Sequence, residues 1–176
     1  MKIIRKNVFE TNSSSTHVIS ITKHREYQLP KHVDFKFGEF GWEYEVYKDT
    51  SDKASYLYTM IKYFNNKDAY INTIKKYLDE ENITYTFETE TDESGYVDHG
   101  SSGLEIVENI LESKEKLLSF LFDNKSYVTT GNDNDDGFYI PEIGCETDFY
   151  DEYNEEEWKR QVNQLKEDNY IYFKDN

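Results

Sequence analysis

Between residues 17 and 22 the chain alternates, with Ile19 and Ile21 set against Ser20 and Thr22. That is the period of a half-buried strand. Residues 2–9 predict an earlier strand, and the long segment 10–16 between them predicts an N-terminal hairpin with a wide loop. Residues 33–47 are rich in Phe, Trp, Tyr and Val and hold Gly38 and Gly41, which predicts one or two more strands with a bend. The period then lengthens. Ala54, Leu57, Ile61 and Phe64 share one helical face over residues 52–65, and Ile71, Ile74 and Leu78 do so over residues 67–81.

Residues 83–90 (ITYTFETE) alternate again and predict a strand, and residues 91–103 predict a loop. Leu104, Val107, Leu111, Leu118 and Leu121 form a stripe that predicts one long helix over residues 104–123. A short strand at 126–130, an acidic turn at 131–137 and an irregular acidic stretch at 138–153 follow. A last helix is expected over 155–168, with Trp158, Val162 and Leu165 inward, then a closing strand at 170–173. Strands and helices mix without strict alternation, so the expected class is α+β: a mixed or antiparallel sheet packed by about four helices in a single domain of 176 residues.

Composition sharpens this picture. The chain holds 16 Tyr and 11 Phe, too many aromatics for a disordered segment. Its one cysteine, Cys145, excludes an internal disulfide. No apolar run reaches the ~18 residues of a membrane helix, and the N-terminus lacks the apolar segment of a signal peptide. The expected location is the cytoplasm of a bacterial host, with no membrane partner.

Charge changes the functional picture more than any motif. The net charge is -16, and it is polarised. Residues 1–78 carry 13 Lys/Arg against 9 Asp/Glu, whereas residues 79–176 carry 7 against 27. Residues 133–157 hold 11 acids and no base. Direct binding of nucleic acid by this half is excluded, because phosphates need Lys and Arg. A basic protein is the partner such a surface would attract.

Three motifs could carry chemistry. NSSSTH (residues 12–17) sets hydroxyls beside His17; backbone N–H groups and Ser14 there could hold an anion while His17 exchanges a proton. VDHGSSG (residues 97–103) offers His99, with Asp98 beside it but poorly placed to orient it. GNDNDDG (residues 131–137) invites a divalent ion at Asp133 and Asp135, although it lacks the bidentate glutamate of an EF-hand. A combined site would join His17, His99 and an acid of the last motif. No P-loop, Rossmann glycine pattern, nucleophile elbow or zinc spacing occurs, so no cofactor is expected.

VFETNSSSTH resembles the opening of a group of small proteins of phages and mobile elements of low-GC Gram-positive bacteria. The likeness covers roughly residues 3–22, and it implies a phage or mobile-element setting without assigning an activity. In charge and setting the chain also resembles acidic inhibitors such as anti-CRISPR proteins. The first expectation is therefore a nucleic-acid mimic that binds and inhibits a basic host defence protein, such as a CRISPR effector or another nuclease. Asp148, Asp151, Glu152, Glu155, Glu156 and Glu157 would supply charge, and Tyr150 and Tyr153, with Tyr139, Phe149 and Trp158, would anchor. The second expectation is a small nucleotide- or protein-modifying enzyme built on His17, Ser14 and His99. It requires His17 and His99 to lie together and to remain reachable.

Overall fold

The architecture comes from a computed structural model, which describes residues 15–41, 43–91, 94–132, 137–149 and 152–174. In chain order the elements are β1 (Ser15–Thr22), β2 (His32–Phe35), β3 (Glu45–Tyr47), α1 (Thr50–Ile61), α2 (Lys67–Glu80), β4 (Thr84–Phe87), α3 (Leu104–Leu111), α4 (Lys114–Phe122), β5 (Tyr127–Asn132), β6 (Tyr139–Ile140), β7 (Gly144–Cys145), α5 (Glu152–Asp168) and β8 (Asn169–Lys174). The class is α+β, as expected. No helix among the described residues is long and apolar enough to cross a membrane.

A four-stranded antiparallel sheet in the order β3-β5-β1-β8 forms the centre. The strand expected to be half-buried, β1, is buried at every residue, because both faces of the sheet are covered. Odd positions Ile19 and Ile21 enter a large core with α1–α4, while even position Val18 meets Ile140, Trp158 and Val162 on the other face. The N-terminal hairpin is not confirmed. β5 pairs with one edge of β1 and β8 with the other, so from His17 to Ser20 no edge is free for a hairpin partner. Residues 2–9 themselves lie outside the described residues.

Other boundaries also move for local reasons. The single helix expected over 104–123 is two. Ser113 leaves helical geometry (φ -144°, ψ 156°), and its hydroxyl accepts the Lys116 N–H at 3.2 Å, capping α4. The helix expected over 52–65 ends at Ile61, yet it is buried on nearly every side, including Lys53, Tyr56 and Thr59. The reason is its position: the main sheet covers one side, the parallel β2–β4 pair another, and α3 and α4 pack alongside. The acidic stretch 138–153 is not wholly irregular, since it holds the β6–β7 pair and a 3-10 turn at Glu146–Phe149.

Candidate active site

Side chains of a strand alternate in direction, so Ser15 and His17 extend the inward row of Ile19 and Ile21. The row turns polar where it leaves the apolar core. Opposite His17, β5 places Thr130 and β8 places Lys174. From α1, Tyr56 meets the His17 ring, with its hydroxyl 2.8 Å from Nδ1. His17 and Lys174 are 0% and 2% exposed. The Lys174 ammonium donates to Ser15 Oγ at 3.2 Å, and Ser15 Oγ donates to the Asp98 carbonyl at 3.1 Å.

The loop holding Asp98 is fastened by backbone. Phe40 N–H donates to the Tyr96 carbonyl and Asp98 N–H to the Phe40 carbonyl, at 2.9 and 2.8 Å. Gly41 follows at φ +133°, a conformation that side chains resist. A Cβ on Gly41 would stand 2.5 Å from Asp98 Cβ and 3.2 Å from His17 Nε2. Side chains from two distant segments, His17 and Asp98, therefore meet at a position of a third that only glycine fits. His99 takes a left-handed backbone (φ 49°) at the start of a 3-10 turn, and its Nε2 lies 3.9 Å from Asp98 Oδ1.

Two buried side-chain atoms among the described residues have no hydrogen-bond partner: His17 Nε2 and Asp98 Oδ2. They do not pair with each other, since no ion pair within 4.0 Å joins them. An unpaired buried polar group costs about 1–3 kcal/mol. Both atoms sit on side chains that approach one glycine, and a buried polar group without a protein partner calls for an ordered water or a bound group.

Electrostatics keep His17 neutral. Burial drives its pKa well below the ordinary 6.5, and the Lys174 and His99 charges push the same way. The unfolded chain therefore binds a proton near pH 6.5 that the folded chain refuses, so stability is full above pH 6.5 and falls as pH drops below it. Urea unfolding of wild type and His17→Gln between about pH 5 and 7.5 tests this, in a window above most carboxylate titration. The wild-type midpoint should fall faster toward acid; parallel curves would refute the assignment.

The structure treats the expected site residues unequally. His17 and His99 come into one neighbourhood through Asp98, which approaches Gly41 together with His17 and lies beside His99. The expected access is found at only one of the two: the His99 side chain is 44% exposed and Asp98 24%, but His17 is buried in packing and closed to solvent, against the expectation that it stay reachable. Ser14, Asp133 and Asp135 lie outside the described residues. The ends of the acidic turn do reach β1, because Thr16 Oγ1 donates to the Gly137 carbonyl at 2.8 Å. No group of three or more His, Cys, Asp or Glu able to hold a metal occurs among the described residues. Ser15 belongs to the NSSSTH run, whereas sequence reasoning missed Gly41, Tyr56 and Lys174 as parts of the site. Only Lys174 left a trace: it continues the alternation Tyr170, Tyr172 by one more inward step.

The acidic candidates lie on the other side of the sheet, where α5 packs. Asp148, Glu155 and Glu156 are exposed. Glu157 is clamped by Arg160 through two bonds of 2.8 and 2.6 Å, which hold its carboxyl far below the usual range. Glu155 pairs with Lys159 at 2.5 Å. Of the aromatics expected to anchor a partner, Trp158 is buried against Phe149, and Tyr139 packs on Tyr44. Tyr150 and Asp151, and the side chains of Glu152 and Tyr153, lie outside the described residues. Compared with family models, with curated proteins and with solved structures, the chain matches none.

Proposed function

We propose that this protein is a small nucleotide- or protein-modifying enzyme whose working centre is His17, Asp98, His99 and Lys174. The observation that carries the reading is the pair of unpartnered buried atoms, His17 Nε2 and Asp98 Oδ2, on side chains that converge at Gly41. Beside them Ser15, Tyr56 and Lys174 are hydrogen-bonded, so the deficit is local. Asp98 is the proton acceptor, and the Lys174 ammonium supports negative charge that develops beside His17. His99 stands at the lip, where it can pass protons to solvent. A cleft of about 380 Å³ between Ser102, Glu105 and Ile106 and the β8 residues Ile171–Lys174 gives a substrate room next to Lys174.

The test is turnover. Wild type is incubated with NAD, ATP and GTP, with and without bacterial lysate, and nucleotides and intact proteins are followed by mass spectrometry. A product that His17→Ala forms at least ~100-fold more slowly, while circular dichroism shows an unchanged fold, is the expected result. His99→Ala, at an exposed position, should slow it about tenfold or more without affecting stability. No product from wild type, or equal product from both variants, would overturn the reading.

The charge favours a second reading, in which the acidic face binds a basic nucleic-acid-binding protein. Residues 133–157 remain without a base, and Asp148, Glu155 and Glu156 face solvent. A tagged pull-down should then capture such a protein at about 0.1 M salt and lose it at about 0.5 M. Glu155→Lys with Glu156→Lys should abolish capture while the fold persists; capture indifferent to salt and to these changes would exclude the reading.

A further inference from the structure

The chemistry of the unpartnered pair can be read further, on the footing that the His17 centre is the working site. Tyr56 is fully buried, and among the described residues its hydroxyl hydrogen-bonds with His17 Nδ1. A phenol carries a single proton. If Nδ1 held its own hydrogen and donated to Tyr56, the phenol O–H would have no acceptor and Nε2 would be a second unsatisfied atom. If Tyr56 donates to Nδ1 instead, the phenol is satisfied and only Nε2–H is left over. Each buried unsatisfied group is costly, so the arrangement with one orphan prevails over the arrangement with two. His17 thus presents an N–H donor.

Asp98 presents the opposite. Its Oδ1 faces His99, and its Oδ2 is a buried acceptor without a donor. A free anion would suit His17 Nε2–H but would be repelled by the Asp98 carboxylate. A cation would suit Asp98 but not an N–H. A group with both a lone pair and a hydrogen suits both at once, and the two atoms, which are not within 4.0 Å of each other, do not satisfy one another directly. Both side chains approach Gly41, where the absence of a Cβ lets them come this near.

We propose that His17 Nε2–H and Asp98 Oδ2 form a two-point receptor for one alcohol hydroxyl of the substrate, with Tyr56 as the positioning residue that makes His17 the donor. The hydroxyl oxygen accepts from His17, and its hydrogen is given to Asp98. A hydroxyl held this way, with its hydrogen on a carboxylate and the Lys174 ammonium nearby, is primed to lose its proton. The ligand class is an alcohol, carried either by the ribose of a nucleoside or by a Ser or Thr of a protein.

The experiment is long-range ¹H–¹⁵N correlation of the histidine rings in the whole protein, with the His17 signal assigned by its loss in His17→Gln. Wild type should show a neutral ring protonated at Nε2, and Tyr56→Phe should abolish that fixed tautomer, an effect that loss of packing alone would not produce. Adenosine is then compared with 2′,3′-dideoxyadenosine, and a serine-containing peptide with its alanine counterpart. One pair should shift the His17 Nε2 signal with at least roughly tenfold weaker binding of the deoxygenated member, about one hydrogen bond's worth. The pair that responds names the source of the hydroxyl. A ring protonated at Nδ1, an imidazolium, or no response in either pair, as when water alone fills the site, would overturn the proposal. If Tyr56→Phe does not fold, the wild-type tautomer and the probe pairs still decide. His17-dependent turnover with an Nδ1–H ring would sink only this assignment. The Nε2–H ring with hydroxyl binding but no turnover would sink only the enzymatic reading.

Discussion

Gly41→Ala is expected to destabilise the protein by about 3 kcal/mol and to remove any ligand response at His17. Two costs combine. At φ +133° an L side chain is strained wherever it points, at about 1–3 kcal/mol. The added methyl would also stand 2.5 Å from Asp98 Cβ, a distance that forces one backbone to move. Asp98 cannot retreat freely, because its N–H is held by the Phe40 carbonyl one residue before the glycine. The site and the loop that carries it must therefore shift together. Gly131→Ala is the control. Its Cβ would meet Thr16 Oγ1 at 3.5 Å and the Gly137 carbonyl at 3.8 Å, ordinary contacts in a strand, so the change should be within about 1 kcal/mol. Chemical denaturation of both variants separates the cases, and a Gly41→Ala protein as stable as wild type would mean that the convergence at Gly41 is looser than drawn.

The second large effect belongs to Lys53. Its side chain is wholly buried, and the ammonium donates to the Asp123 and Ser126 carbonyls at 2.6 and 3.0 Å. It ties α1 to the turn between α4 and β5. That turn is a polar knot in its own right: Asp123 Oδ1 accepts from Lys125 N–H, and Ser126 Oγ accepts from Thr22 N–H at the end of β1. Lys53→Ala would take the ammonium from the Ser126 carbonyl and from the Asp123 carbonyl, which keeps only the Ser126 N–H, and would leave a cavity, at a cost of about 3–5 kcal/mol.

Lys53 also makes a pH prediction. Burial pushes its pKa down to about 8, partly offset by Asp123 and Asp49. Between that value and the ordinary 10.5 the unfolded chain holds the proton more tightly than the folded one. Stability on this account rises with pH across that interval, by about 2 kcal/mol between pH 8 and roughly pH 9.5. Lys53→Met keeps the bulk of the side chain and removes the proton. The difference in stability between wild type and Lys53→Met should therefore drift in favour of wild type as pH rises from 8. A difference that stays constant over the interval would show that the amine is not strained by its burial.

Much of the secondary structure was legible because it is written in local periods. The expected helix at 67–81 and the strand at 83–90 appear as α2 and β4 within a few residues, since an apolar stripe has only one way to be buried. Trp158 and Val162 face inward from α5 as their spacing requires. Periodicity failed where a polar group did the deciding. The stripe from Leu104 to Leu121 runs on through Ser113, and only the cap formed by that serine breaks the helix. It fell short again at α1, where the stripe of Ala54, Leu57 and Ile61 marks one face but Lys53, Tyr56 and Thr59 are buried as well.

By itself the sequence determined the α+β class, most elements, the polarised charge and the suspicion that fell on His17 and His99. Tertiary structure alone decided what surrounds them. Ser15 meets Asp98 across 83 positions and Lys174 across 159, because β1 takes β8 on one edge and Gly41 lets the Asp98 loop close over its inner face. No local pattern encodes such meetings. They follow from which strand edges pair, in which register, and from the one residue without a side chain at the point of approach.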